Sequence, residues 1–130
     1  MIGFDTTAII DFFKKDDGLK RVLGGLEDDF ATTIINCQET YFGIHQGDPK
    51  YDLESEFYEK FFDDIILLGL DKNSVKESSK ILWELSRSGK IMGKFDCMIA
   101  GILLSNGVNK IITKNVKDFK NIKGLKVISY

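Results

Sequence analysis

The sequence predicts an α/β protein with a mostly parallel central sheet of about five strands, covered by helices on both faces. Three observations carry this. Short apolar, β-branched runs alternate along the chain with segments whose apolar residues recur at helical spacing. The run Ile65-Ile66-Leu67-Leu68 is continuously apolar, as suits a strand buried in a parallel sheet. The stretch Cys97 to Leu104 is apolar almost all round, which predicts a central, buried helix.

Each element is justified in turn. Ile2, Gly3 and Phe4 form a first strand ending at Asp5; Ala8, Ile9, Phe12 and Phe13 then recur as one face of a helix. Asp16-Asp17-Gly18 breaks it. Leu19, Val22, Leu23 and Leu26 mark a second short helix, closed by Asp28-Asp29. Phe30 to Ile35 is β-branched and apolar, a second strand. Asn36 is a good N-cap for a helix running to about Gly47. Asp48-Pro49 reads as the next helix start, with Pro at the first helical position. That helix, acidic and aromatic, reaches Asp64 with Leu53, Phe57, Phe61 and Phe62 as its apolar side. The third strand is Ile65 to Leu68. A long helix follows from Asp71 to Ser88, stopped by Gly89. After the buried helix, ended by Asn106-Gly107, come a fourth strand (Lys110 to Thr113), a turn or short helix (Asn115 to Phe119) and a fifth strand (Lys126 to Ile128). No repeat or linker interrupts this, so one domain over residues 1–130 is expected.

Composition narrows the function. The chain of 130 residues is 43% hydrophobic and 29% charged with one proline, which suits a packed core and excludes disorder. No apolar run approaches a membrane span, and no basic region with a long apolar core opens the chain; the expected location is the cytoplasm, with no membrane partner. Cys37 and Cys97 form no disulfide framework, and with His45 alone a structural zinc site or a His-based nucleophile system is excluded. Net charge is −2, but unevenly spread. Residues 1–79 carry 17 Asp and Glu against 8 Lys and Arg, whereas residues 80–130 carry 3 against 10. A polyanion partner, or two solvated faces of opposite sign, accounts for this.

Acids recur beside the strand ends. Asp5 follows the first strand, Glu39 lies in the first turn of the helix after the second, Asp96 opens the buried helix, and Asp118 follows the fourth strand. Each alone has a plain reading: Asp5 or Thr6 as a helix cap, Asn36 and Glu39 as a capping box, Asp96 as a helix-dipole acid, Asp118 as a turn residue. Together, in one parallel sheet, they converge at the edge where ligands bind. Crowded carboxylates repel unless a cation neutralises them. An all-oxygen set suits Mg²⁺ or Mn²⁺ and the hydrolysis of a phosphodiester.

The segments Phe4-Asp5-Thr6-Thr7-Ala8-Ile9-Ile10-Asp11, Gln38-Glu39-Thr40-Tyr41-Phe42-Gly43, Phe95-Asp96-Cys97-Met98-Ile99-Ala100 and Ile112-Thr113-Lys114-Asn115-Val116-Lys117-Asp118-Phe119 resemble the four signatures of PIN-domain ribonucleases, in order. The chain is most similar to the VapC-type toxins of toxin–antitoxin systems. The resemblance implies a PIN-like three-layer α/β/α fold and Mg²⁺- or Mn²⁺-dependent cleavage of RNA. It implies a cognate antitoxin and a homodimer. It makes Asp5 and Asp96 the central metal ligands, with Glu39 completing the acidic centre; Asp118, three residues beyond Asn115, is expected beside them as the fourth catalytic and metal-binding acid. Thr6, Thr113, Asn115, Lys114, Lys117 and Lys94 are expected at the substrate. The sequence departs from the family at Thr7, where many relatives carry Asn or Ser, and at Asn115, where many carry a fourth Asp.

The lysines Lys114, Lys117, Lys120, Lys123 and Lys126 fall every third residue beside the expected site, with Arg87, Lys90 and Lys94 on the other side of the buried helix. Such contacts give RNA affinity without reading sequence. Two other readings compete. One is a PIN-like module with weakened catalysis that binds RNA or protein, suggested by Asn115. The other is a haloacid-dehalogenase-like phosphatase, which also starts with an Asp after strand one but has its second acid where Thr7 stands.

Overall fold

A computed structural model describes residues 1–130. Five strands, β1 (Ile2–Phe4), β2 (Phe30–Thr33), β3 (Ile66–Leu68), β4 (Lys110–Ile112) and β5 (Lys126–Ile128), form one sheet in the order β3-β2-β1-β4-β5. Every neighbouring pair is parallel. The helices are α1 (Thr6–Phe13), α2 (Asp17–Gly24), α3 (Ile34–Phe42), α4 (Tyr51–Asp64), α5 (Lys72–Arg87), α6 (Lys94–Ser105) and the short α7 (Val116–Phe119). The predicted parallel sheet with helices on both faces is what the chain forms.

The two faces follow from strand alternation. Ile2, Phe4 and Ile112 point into one core with Ala8, Ile9, Leu19, Tyr58 and Phe62, under α1, α2 and α4. Ile111 points the other way, into a core with Ile81, Leu85, Cys97, Ile99, Ala100 and Leu103, under α5 and α6. Gly3 lies on that second face, where a Cβ would stand 2.8 Å from Leu103 Cδ1. As predicted, α6 is the buried central helix.

The chain builds outward from β1 through β2 to β3, then crosses back to place β4 and β5 on the other side of β1. This reversal opens a crevice beyond the carboxyl ends of β1 and β4, the place where open α/β sheets bind ligands.

Several boundaries differ from the sequence reading. The second strand stops at Thr33, and Ile34 and Ile35 are helical. Thr33, not Asn36, is the N-cap: its hydroxyl accepts from the Asn36 N–H at 3.2 Å, and the Asn36 side-chain oxygen accepts from the Thr33 N–H at 3.4 Å. This capping box overrides the β preference of two isoleucines. Glu39 therefore lies in the second turn of α3 and takes no part in a cap. The helix ends at Phe42, short of Gly47. Asp48 does not cap α4; its side chain accepts from Lys50 N–H at 2.8 Å in a local turn, and the helix starts at Tyr51. The third strand is not buried but lies at the sheet edge, with Ile66 45% and Leu67 38% exposed. The second helix stops at Gly24. The first is stopped by Lys15, at φ 57°, in a Schellman arrangement: Asp16 N–H donates to Asp11 O at 3.0 Å and Lys15 N–H to Phe12 O at 3.2 Å.

The contact between α5 and α6 depends on Gly101. A Cβ there would stand 2.7 Å from Ser78 N and 2.9 Å from Ser74 O, both backbone atoms that cannot rotate aside. Gly101→Ala is expected to push the helices apart and destabilise the chain by about 1–3 kcal/mol. Gly24→Ala, with nothing within 4 Å, is the control and should be near neutral. Urea unfolding of both variants measures the difference; a Gly101→Ala chain as stable as the control contradicts the close crossing.

Candidate active site

The site is centred on Asp5, which leaves β1 and is only 4% exposed. It occupies the N-cap position of α1 but makes no side-chain cap bond. Its carboxylate turns toward neighbouring strand ends. Oδ2 accepts from the Thr113 hydroxyl at 2.6 Å and from the Thr7 hydroxyl at 3.3 Å. Oδ1 accepts from Asn36 Nδ2 at 3.2 Å. Burial pushes the Asp5 pKa up, against the opposing pull of Thr113, the Thr6 N–H, Thr7 and Asn36. A buried carboxylate stays tolerable only when its oxygens are bonded in this way.

Asn36 joins the centre to Glu39. Its amide donates to Asp5 Oδ1 and, at 3.0 Å, to Thr6 Oγ1; the Thr6 hydroxyl donates in turn to Glu39 Oε1 at 2.7 Å. The Asn36 carbonyl accepts from the Thr33 hydroxyl at 2.7 Å, so the fully buried side chain is satisfied on both ends. Thr113 serves Asp5 and also accepts from Asn115 N–H at 2.9 Å, while Lys114 N–H donates to Thr7 Oγ1 at 3.2 Å.

Asp96 lies in the first turn of α6, half-buried. Burial, then the charges of Asp118, Asp5 and Glu39, push its pKa up to about 7. Asp96 is thus within electrostatic reach of the other three acids, and among these neighbouring charges that of Asp118 acts most on it. Glu39 is pushed up by burial, held down by Thr6, and pushed up again by Asp5. Ion pairs elsewhere go to Asp11, Asp16, Asp28 and Asp64; none reaches these four carboxylates. No group of three or more His, Cys, Asp or Glu side chains is arranged as a ready cage for an ion. The donor set is nevertheless all oxygen, negatively charged and without a cationic partner, and in charge and hardness it fits a divalent ion such as Mg²⁺ or Mn²⁺.

The residues expected at the substrate divide. Thr6 and Thr113 turn their hydroxyls onto Glu39 and Asp5. Asn115 is exposed at the N-cap position of α7 and makes no side-chain cap bond. Lys94 and Lys117 are exposed. Lys114 pairs with Asp11 at 2.9 Å. Sequence reasoning missed Asn36, Thr33 and Thr7 as partners of this centre; the signal was the polar Asn36 three residues from Glu39, on one helical face with it.

Fold and site together define an acid-centred α/β domain of the PIN type. A PIN domain family model matches residues 2–125, and the chain belongs to that family. The phosphatase alternative, already without an acid at Thr7, loses its basis. The chain is similar to the tRNA(fMet)-specific endonuclease VapC of Shigella flexneri, with 37% identity over 68 residues. That match covers 52% of this chain and 51% of the relative, so the chain spans about half the length of that curated protein. The fold is shared with VapBC2 from Rickettsia felis, solved bound to a DNA fragment from its promoter (TM-score 0.85, 21% identity, 100% of this chain and 99% of that one). It is also shared with VapBC-1 from nontypeable Haemophilus influenzae (TM-score 0.81, 24% identity, 99% and 98%).

The raised Asp96 pKa has a consequence for stability. Below an ordinary pKa of 3.8 the group is protonated folded and unfolded, and contributes nothing. Between 3.8 and about 7 the folded chain keeps a proton that the unfolded chain loses, so stability falls as pH rises, and the cost is complete above about 7. Asp96→Asn removes it. In EDTA the variant should match wild type near pH 4 and exceed it at pH 8 by about 1–2 kcal/mol, after discounting for solvent on the open side. Thermal melts at both pH values check this; a variant less stable than wild type at pH 8 contradicts it.

Proposed function

We propose that this chain is a divalent-metal-dependent ribonuclease and the toxin of a toxin–antitoxin pair. The observation that carries the reading is the acidic cluster itself: Asp96 lies within electrostatic reach of Asp5, Glu39 and Asp118, Asp5 is buried and bonded, and none of the four is paired with Lys or Arg. Asp5, Glu39, Asp96 and Asp118 would hold Mg²⁺ or Mn²⁺. When bound, such an ion supplies Lewis acidity and positive charge at a scissile phosphate. The similarity to an endonuclease, and the shared fold with toxin–antitoxin proteins, support RNA as substrate and an antitoxin as partner. A homodimer belongs to the same proposal.

The chain's own residues have distinct tasks in this reading. Thr113, Thr7 and Asn36 fix the Asp5 carboxylate, and Thr6 orients Glu39. The N-terminus of α6 favours the ionised form of Asp96, against the burial and the neighbouring charges that push its pKa up. Lys94, opening α6, and Lys117, in α7, flank the acids and grip the RNA backbone. Asn115 offers a neutral oxygen where Asp118 offers charge.

Cleavage of RNA in Mn²⁺ and its abolition by EDTA test the reading. Asp5→Asn and Asp96→Asn should lower the rate on the order of 10²–10³-fold, as lost electrostatic stabilisation does. Asp118→Ala should slow cleavage more than Asn115→Ala, because among the neighbouring charges that of Asp118 acts most on Asp96. Full cleavage by the Asp5 and Asp96 variants rejects the site assignment.

RNA affinity should fall with salt. Replacing Lys94 and Lys117 by Met should weaken unrelated RNAs alike and reduce the slope of log K against log salt by about 1.4, two single-strand phosphate contacts. An unchanged slope removes both lysines from the RNA surface.

A further inference from the structure

We propose that Asp11, Tyr130 and Lys114 form a latch that positions the loop Thr113–Asn115 over Asp5, making Asp11 and Tyr130 positioning residues for the site. The kinetic part of this rests on the ribonuclease reading; the structural part does not.

The loop is gripped twice by one helix face. Thr7 and Asp11 are four residues apart in α1, so they lie on the same side. Thr7 takes the Lys114 backbone N–H at 3.2 Å, and Asp11 takes the Lys114 ammonium at 2.9 Å. The first grip continues directly to the centre, since Thr7 and Thr113 both bond Asp5 Oδ2 and their hydroxyl oxygens are 3.2 Å apart. Lys114 is therefore pinned at both ends, between the residue that donates to Asp5 most closely and the start of α7, which carries Asp118.

Tyr130 closes the second grip. Its hydroxyl donates to Asp11 Oδ2 at 2.6 Å, the oxygen that Lys114 also approaches. The Lys114 ammonium stands 5.5 Å from the Tyr130 ring centroid, within cation–π range. Asp16 adds a second acid at 3.9 Å, brought round by the left-handed Lys15. This is more than a surface ion pair. The Asp11 side chain is 13% exposed and takes two donors on one oxygen. Burial pushes the Asp11 pKa up, but Tyr130 and Lys114 outweigh it and hold the carboxyl below its ordinary range. The Lys114 ammonium, on a side chain that stays 47% exposed, is thus engaged by Asp11 within the chain.

The test uses the full chain and two readouts. Tyr130→Phe removes only the hydroxyl, Asp11→Asn only the charge, and Lys114→Met the ammonium; Lys114→Arg is the conservative control. By hydrogen exchange, the Lys114 and Asn115 amides should exchange at least about tenfold faster in Asp11→Asn and Lys114→Met, and detectably faster in Tyr130→Phe, with β1 amides unchanged. With RNA and Mn²⁺, kcat should fall about tenfold in Asp11→Asn while KM moves less than about twofold, and Asp11→Asn/Lys114→Met should be no worse than either single change. Lys114→Arg should restore both readouts. Unchanged amide exchange in Asp11→Asn and Tyr130→Phe overturns the latch. A Lys114→Met chain that raises KM alone, with Asp11→Asn silent, also overturns it and makes Lys114 a phosphate contact. Absence of RNA cleavage by wild type would reject the ribonuclease reading, and exchange alone would then decide the latch.

Discussion

A carboxylate buried at the end of the central strand is the constraint on which the rest of this structure depends. Asp5 is only 4% exposed there and cannot sit ionised without donors. The donors come from three separate stretches: Thr7 from the helix that follows, Asn36 from the helix after β2, Thr113 from the end of β4. A parallel sheet is the arrangement that brings such stretches together, because its strands all end at one edge. The order β3-β2-β1-β4-β5 then puts β1 between the two strands whose ends supply Asn36 and Thr113. Fold and site are in this sense one requirement.

Around that bonded centre, charge is left unbalanced. Lysines pair with Asp11, Asp28 and Asp64, yet none approaches Asp5, Glu39, Asp96 or Asp118. The consequence is visible at Asp96, held near 7 by burial and by the other three. Structural acids are ordinarily matched by cations; a cluster that repels itself at neutral pH makes physical sense when something outside the chain supplies the positive charge. The basic bias of residues 80–130 does not supply it, since none of its lysines forms an ion pair with these four acids.

Much of the fold was legible in the sequence, because its strongest signals were those that burial itself enforces. The all-round apolar stretch of α6 and the short β-branched runs could satisfy their apolar atoms only inside an α/β layer. The four acids of the proposed site could be singled out because each follows a strand or lies on a helix beside one. What was not legible arose where a local bond overruled a propensity. Phe30 to Ile35 reads as one strand, but the Thr33–Asn36 box ends it at Thr33 and turns Asn36 inward, where it becomes the amide that joins Asp5 to Glu39. The same kind of limit applies to Lys114. In sequence it is one lysine of a periodic series; in space Asp11, more than a hundred residues earlier, engages it. Such partnerships depend on which elements the sheet order makes adjacent, and spacing along the chain carries no information about that.

Asp5, Glu39, Asp96 and Asp118 are proposed together to form a site for a divalent cation. The most direct measurement is diffraction from crystals soaked in Mn²⁺, recorded at the manganese absorption edge so that the anomalous signal locates the ion. A peak is expected between the carboxylates of Asp5, Asp96 and at least one of Glu39 and Asp118, and its loss in Asp96→Asn crystals. Crystals of the wild-type chain saturated with Mn²⁺ that show no peak there, or an ion bound only to acids elsewhere, would contradict the proposed site.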